Sequence, residues 1–238
     1  VGITGAIFHS LNHALFKSAL FFGVGIIILG TGEVDLYKLG GLWNKFPLTA
    51  LMMFVAALGI TGTPGLNGYI SKTLLHHSIL DAAALGSPVM VWAERLFVLV
   101  GVGTTASFVK LIGLTFFGKQ KTPVRDQLGE GRPLAVAMLL LSLAMLVIGR
   151  KPEWILGLLV SPAARSCGIR GVEVLRHIDF WEWPAIRDML LTLAAGFVLF
   201  AVGMKTNLFH YELPAWLSFE GAWKAWRGRK DAKQKEGQ

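Results

Sequence analysis

Long apolar runs separated by short polar stretches organise the chain, and this pattern predicts a bundle of membrane-spanning helices. A helix needs about 20 mostly apolar residues to cross a bilayer. We expect an all-α integral membrane protein with about five transmembrane helices. Trp154–Val160 is apolar but too short to span, so we expect it at the membrane interface. The predicted spans are Ile3–Leu29, about Pro47–Leu80, Val89–Phe117, Leu134–Gly149 and Ala185–Met204.

The second run is too long for one straight helix and is interrupted near its middle. Residues 62–68 read GTPGLNG and include Gly62, Pro64, Gly65 and Gly68. Proline removes a backbone donor, and glycine tolerates irregular dihedral angles. Such a break survives inside a membrane only where protein or water satisfies the freed backbone groups. We therefore predict one discontinuous helix.

His9, His13 and Lys17 recur at steps of four residues inside the first apolar run. Steps of four advance about 400° around a helix, so the three side chains share one face and follow each other at about 6 Å along the axis. Ionisable side chains are costly in lipid and by default mark a functional site. The pattern fits a proton relay bridged by waters, and it fits equally well polar side chains satisfied by neighbouring helices.

Lys72 lies just past the predicted break, in GLNGYISKTLLHH. Removal from bulk water destabilises a charged ammonium, so a lysine there can bind and release a proton. Extension of the side chain to the interface is the alternative, but the position of Lys72 near the middle of the run favours the functional interpretation. His76 is four residues on and faces the same way. A metal site of His76, His77 and Asp81 is a weaker possibility than an exit path or a helix cap.

Charged residues also occur in the third span. Lys110 lies deep in it, and a structural role at the membrane surface and a role in proton transfer carry equal weight. Glu94 and Arg95 open the same span and point to different faces. Glu94 could release protons, although an ordinary interfacial helix start explains it better.

Composition excludes a soluble enzyme. Hydrophobic residues make up 53% of the chain and charged residues 16%, against about 25% charged in soluble domains. Cys167 is the single cysteine, so a disulfide framework or a cysteine metal site is not expected. No flavin, iron–sulfur, nucleotide or nucleic-acid-binding motif is found, so we expect no cofactor, no metal, no redox centre and no nucleic-acid partner.

The basic residues predict the orientation of the bundle. If the spans alternate, the loop with Lys38 and Lys45, the link from Lys119 to Arg132 and the C-terminal tail share one side. An excess of lysine and arginine marks the cytoplasmic side, and the predicted location is the inner (cytoplasmic) membrane. Arginines between residues 150 and 187 oppose this orientation. Pro214–Arg227 has aromatic residues at helical spacing and predicts an amphipathic surface helix before a basic tail.

Three sequence motifs carry a resemblance to a known family. FHSLNHALFKSALFF, KLGGLWNKFPLTALMMF and GITGTPGLNGYISK follow one another within about Ile3–Gly118. They resemble the antiporter-like proton-pumping subunits of respiratory complex I, energy-conserving membrane hydrogenases and multisubunit sodium/proton antiporters. LNHALFKS with PGLNGYISK most closely resembles the hydrogenase-type subunits.

The resemblance implies a central axis of lysines and histidines. On this chain it implies Lys17 as the central proton carrier, His13 and His9 as relays and Lys72 as the exit-side carrier. Such subunits contain two inverted repeats, and this chain resembles only the second. We therefore expect that the uptake path and the coupling glutamate–lysine pair lie elsewhere, and that a chain starting at Val1 is part of a larger or split protein.

The resemblance also implies a function and partners. We expect a proton-translocating membrane subunit of a redox-driven pump, in contact with lipid, neighbouring antiporter-like subunits and a peripheral redox arm. Residues 1–149 would hold the proton channel and the following span, 150–184 an interfacial connection, and 185–238 an extra span, the amphipathic helix and the basic tail. One alternative is a sodium/proton antiporter subunit using oxygens near the break, disfavoured because no buried acid is evident near Lys72. Another is a non-conducting scaffold with a dry axis.

Overall fold

The described structure is entirely helical. A computed structural model of the chain describes residues 2–125, 131–168 and 178–210, together with Gly221, Trp223 and Arg227. All regular structure within these residues is helix, which confirms the all-α prediction. The chain divides into two compact units, one ending at Phe200 and the other beginning at Ala201.

Prolines begin many of the helices, as expected at a position where no backbone donor is needed. A π-helical turn, Leu156–Val160, joins the helices Pro152–Ile155 and Ser161–Ser166, and short 3₁₀ turns occupy Leu42–Asn44 and Leu208–His210. The α-helices are α1 Gly2–Thr31, α2 Pro47–Thr61, α3 Asn67–Ala84, α4 Pro88–Phe116, α5 Arg132–Arg150, α6 Pro152–Ile155, α7 Ser161–Ser166 and α8 Trp183–Lys205.

Four helices, α1, α4, α5 and α8, are long and apolar enough to cross a membrane. Their lengths match the roughly 20 residues that a bilayer requires. Helix α2 is apolar but shorter, and α3 follows it after five non-helical residues. The predicted discontinuous helix is therefore present as α2 and α3, and the chain is a multi-pass helical membrane protein.

Contacts along α1 show how the two halves of the discontinuous helix are arranged. Partner numbers fall as residue numbers in α1 rise, so α2 and α3 lie end to end, antiparallel to α1. The break between them faces the middle of α1. In these contacts Gly2 faces Ser78, Gly5 faces Leu74, Gly23 faces Met53 and Gly30 faces Phe46.

The loop after α1 and the segment after α4 meet at one end of the bundle. Gly41 N donates to Phe117 O at 3.0 Å, and Arg125 N donates to Gly30 O at 2.9 Å. Both segments carry lysines, and we call this end, formed by residues 32–46 and 117–125, the basic side. The other end is the opposite side.

The connection after α5 packs against the half of α1 that lies toward the opposite side. Leu156 and Val160 are buried in one apolar cluster with Phe8 of α1 and Tyr69 of α3. Trp154, by contrast, is exposed. The stretch Trp154–Val160, expected as an interfacial segment, thus belongs to a helical connection with one buried face.

Most of the C-terminal predictions lie outside the described residues. The predicted amphipathic helix Pro214–Arg227 is described only at Gly221, Trp223 and Arg227, where the Arg227 guanidinium carbon lies 5.4 Å from the Trp223 ring centre. The basic tail after residue 228 also lies outside them.

Close packing of α3 on α2 requires Gly68. A Cβ on Gly68 would overlap the carbonyl group of Gly59, and overpacking of this kind costs about 1–3 kcal/mol. We expect Gly68→Ala to lower the thermal unfolding midpoint of the detergent-solubilised protein. Gly25→Ala is the control, because a Cβ at Gly25 would have no atom within 4 Å. Equal midpoints for the two variants would contradict this packing account.

Candidate functional site

The break ends α2 with a left-handed glycine. Gly62 has φ +88°, a conformation that glycine adopts without the strain of a Cβ. Gly62 N donates to Gly59 O at 3.1 Å, and Thr63 N donates to Leu58 O at 3.0 Å. These two bonds are the standard closure of a helix C-terminus, and they satisfy two of the carbonyls that the break frees.

Lys72 satisfies another freed carbonyl. Its Nζ donates to Thr61 O at 3.0 Å, and its side chain runs past Gly62, where a Cβ would lie 2.9 Å from Lys72 Cδ. The C-terminus of a helix carries partial negative charge and favours a nearby cation. The ammonium of Lys72 therefore lies at the break itself and does not extend to a membrane surface.

Two fully buried asparagines join α1 to the start of α3. Asn67 Nδ2 donates to Asn12 Oδ1 at 3.0 Å, and Asn12 Nδ2 donates to Asn67 O at 3.1 Å. Both side chains have 0% exposure, so each bond replaces solvation that these amides have lost. Sequence reasoning missed Asn12, although its place between two histidines in an apolar run was a visible signal.

His9 and His13 lie on either side of Asn12 in the sequence of α1. His9 Nδ1 lies 3.0 Å from Ser71 Oγ, next to Lys72 in sequence. The His9 and His13 ring centres are 6.1 Å apart. Lys17 Nζ lies 5.8 Å from the centre of the Phe108 ring on α4. The polar side chains of α1 therefore follow one another along the helix, from His9 beside Ser71 of α3 to Lys17 beside Phe108 of α4.

A cavity of about 930 Å³ joins these groups. It is far larger than the roughly 30 Å³ that one water occupies in the liquid, so it can hold chains of water. Helices α1, α3, α4 and α8 form its walls. Its polar lining consists of His9, His13, Lys17, Lys72, Thr73, His76, His77, Glu94, Thr104, Ser107, Asp188 and Thr192.

Five of the six predicted pathway residues line this cavity: His9, His13, Lys17, Lys72 and His76. Lys110 lies elsewhere, with Nζ 4.8 Å from the centre of the Tyr37 ring on the basic side. The predicted break residues Gly62, Pro64, Gly65 and Gly68 fall at the start of the break, within it and in the first turn of α3. Among the described residues, no three His, Cys, Asp or Glu side chains form a metal-binding group.

Two carboxylates of the cavity lay outside the predicted site. Glu94 was expected at an interfacial helix start, with proton release as the weaker alternative, and Asp188 was not singled out. Both lie near the beginning of a predicted span, where charged residues ordinarily face water. Asp188 Oδ1 accepts bonds from Arg187 Nη2 at 2.7 Å and from Nε at 2.9 Å. Glu94 reaches the cavity because α4 packs against α3, and Asp188 reaches it because α8 packs beside α4.

The contribution of the Asn12–Asn67 hydrogen bonds to stability can be tested directly. Leaving a buried polar group without a partner costs about 1–3 kcal/mol. We expect Asn12→Ala and Asn67→Ala each to lower thermal stability in detergent, and the double variant to lose less than the sum. The control Ser10→Ala removes an exposed hydroxyl that bonds only within α1. Additive losses in the double-mutant cycle would show that the two amides do not stabilise each other.

Comparisons with known proteins agree with this architecture. Hydrogenase-4 component B of Escherichia coli (strain K12) is 36% identical over 161 residues, covering 65% of this chain and 24% of that protein. Formate hydrogenlyase subunit 3 of the same organism is 30% identical, covering 67% and 27%. Na(+)/H(+) antiporter subunit A1 of Staphylococcus aureus (strain JH9) is 31% identical, covering 82% and 25%. The chain spans about a quarter of the length of these curated relatives.

A solved structure and a family match point the same way. The structure of the Mrp complex from Dietzia sp. DQ12-45-1b aligns with a TM-score of 0.58 and 25% identity, covering 68% of this chain and 37% of that chain. Residues 1–100 match the family described as NADH:quinone oxidoreductase/Mrp antiporter, transmembrane. Through these residues the chain belongs to the family of antiporter-like membrane subunits found in hydrogenase-type and Mrp-type complexes.

Proposed function

We propose that this chain forms the proton-conducting part of a membrane subunit in a redox-driven ion pump. One observation carries the proposal: Lys17, His13, His9 and Lys72 line a single cavity between α1, α3, α4 and α8. Ionisable groups inside an apolar bundle are costly and mark ion pathways. In this chain the four side chains line one cavity that is large enough for water.

The proposed path runs from Lys17 through His13 and His9 to Lys72. In this path waters bridge His9 and His13, whose ring centres lie 6.1 Å apart, and His9 Nδ1 lies 3.0 Å from the hydroxyl of Ser71, the residue before Lys72. The ammonium of Lys72 donates to Thr61 O at 3.0 Å, and this bond loses its charge assistance when Lys72 passes its proton on. Moving one charge against 100 mV costs about 2.3 kcal/mol, which the partner complex would supply.

The names of the relatives support a redox partner. A hydrogenase component and a formate hydrogenlyase subunit are among them. We propose neighbouring antiporter-like subunits, a peripheral redox arm and lipid as partners, and the inner (cytoplasmic) membrane as the location. Lys110, beside Tyr37 on the basic side, would act on the uptake side of Lys17. The first repeat and its coupling pair would lie on other residues of the assembly.

The proposed division of the chain follows the same reasoning. Residues 1–149 would hold the conducting helices and the span after them. Residues 150–184 would be an interfacial connection, and 185–238 would supply an extra span, an amphipathic helix and a basic tail. Helix α8 also contributes a wall of the cavity through Asp188 and Met189.

Sodium/proton exchange is the second candidate function. The relative named Na(+)/H(+) antiporter subunit A1 is matched over 82% of this chain. Hard cations prefer oxygen ligands, and the Thr61 and Thr63 hydroxyls lie 3.3 Å apart at the break. Glu94 and Asp188 add carboxylates to the cavity that sequence reasoning did not place there.

Lys72→Met tests the proposed path. In vesicles holding the intact complex, we expect proton translocation to fall at least tenfold while electron transfer continues or slows, because the exit-side carrier is lost. The control is Lys151→Met, which removes an exposed lysine outside the cavity and leaves translocation unchanged.

The same vesicles separate the alternatives. Unchanged translocation in Lys72→Met and in Lys17→Met would contradict the path and make the chain a scaffold. Translocation that requires sodium, and that moves sodium in the opposite direction to protons, would instead establish the antiporter function.

A further inference from the structure

A histidine of α3 and a glutamate of α4 face each other across the cavity. His76 Nε2 lies 3.7 Å from Glu94 Oε1. The His76 ring stacks on Phe97, one turn along α4 from Glu94, with ring centres 5.5 Å apart and planes inclined by 5°. Phe97 therefore holds the imidazole with its Nε2 edge toward the carboxylate.

His76 Nε2 and Glu94 Oε1 face each other without a competing partner among the described residues. His76 Nε2 is buried and makes no hydrogen bond to the described residues, and such a group is costly unless it gains a partner. Protonation of the ring would convert the 3.7 Å approach into a charge-assisted contact, which is shorter and stronger than a neutral one.

Other charged groups nearby have different partners or face the cavity from elsewhere. Asp188 of α8 is bonded to Arg187, and the guanidinium carbon of Arg95 lies 5.1 Å from the Trp92 ring centre. Lys72 and His77 of α3 line the same cavity. Within the described part of the chain, no lysine or arginine forms an ion pair with Glu94.

The His76–Glu94 pair lies farther from the break than Lys72, toward the opposite side. His76 is one helical turn beyond Lys72 on α3, away from the break and toward the opposite side. Glu94 lies within the first two turns of α4, which starts at Pro88 at that same end. The order from the centre outward is therefore Lys72, His76, Glu94.

We propose that Glu94 is the terminal proton acceptor of this chain and that His76 delivers the proton to it. The protonated imidazole breaks its Nε2–H bond while Glu94 Oε1 forms an O–H bond, leaving a neutral ring and a neutral acid. The acid then loses its proton to water on the opposite side, and both groups return to their initial state. This step rests on the proposed proton path through Lys72.

Two substitutions at Glu94 distinguish proton transfer from a structural role. Glu94→Gln keeps size and hydrogen-bonding capacity but cannot accept a proton as a carboxylate does. Glu94→Asp keeps the carboxylate on a shorter side chain. In vesicles with the intact complex, we expect translocation to fall at least tenfold in Glu94→Gln and about threefold or less in Glu94→Asp. The control Glu153→Gln changes an exposed glutamate outside the cavity and keeps the wild-type rate.

The opposite ranking, with Gln near wild type and Asp impaired, would assign Glu94 a structural role and overturn the proposal. Lys72→Met is measured in parallel: loss in Lys72→Met with a wild-type rate in Glu94→Gln rejects the Glu94 step alone, while wild-type rates in both reject the whole path. If Glu94→Gln does not assemble, His76→Phe tests the same step, because phenylalanine keeps the stacking on Phe97. A tenfold loss is expected there, and a wild-type rate would overturn the proposal.

Discussion

The break between α2 and α3 sets the constraint on which the rest of the site depends. A helix interrupted inside an apolar layer exposes backbone groups that lipid cannot satisfy. In this chain the closing bonds at Gly62 and Thr63 and the ammonium of Lys72 satisfy carbonyls at the end of α2, while the amide of Asn12 joins α1 to the start of α3. The groups proposed to move protons are therefore neighbours of the groups that keep the break folded. Lys72 belongs to both sets.

This constraint also places the cavity. Helix α1 runs past α2 and most of α3, so its polar residues at positions 9 to 17 lie near the level of the break. Apolar clusters pack α1 on both sides of that level. The remaining walls come from α4 and α8, which lie parallel because Gly101 faces Thr192 and Gly196 faces Thr105. Small residues at these contacts let the two helices approach closely.

Local patterns predicted the elements that depend on local chemistry. The GTPGLNG run predicted the break, and the four-residue steps from His9 to Lys17 predicted a shared face. Contacts between helices distant in sequence were not predictable in this way. The hydrogen bond between Asn67 and Asn12 joins residues 55 positions apart. Asp188 reaches the cavity only because α8 packs beside α4. A charged residue near a helix start, such as Glu94, gives the same sequence pattern whether its side chain faces bulk water or a cavity. The sequence alone therefore does not distinguish the two.

The proposed proton path requires that the cavity holds water inside the membrane, since a dry cavity cannot relay protons from Lys17 to Lys72. Cysteine labelling tests this directly in membranes, on a background in which the exposed Cys167 is replaced by serine. We expect Thr104→Cys, which lines the cavity, to react with a small charged thiol reagent. Leu139→Cys, on the exposed apolar face of α5, should not react, because lipid suppresses the thiolate. Equal absence of labelling at both positions would contradict a hydrated path.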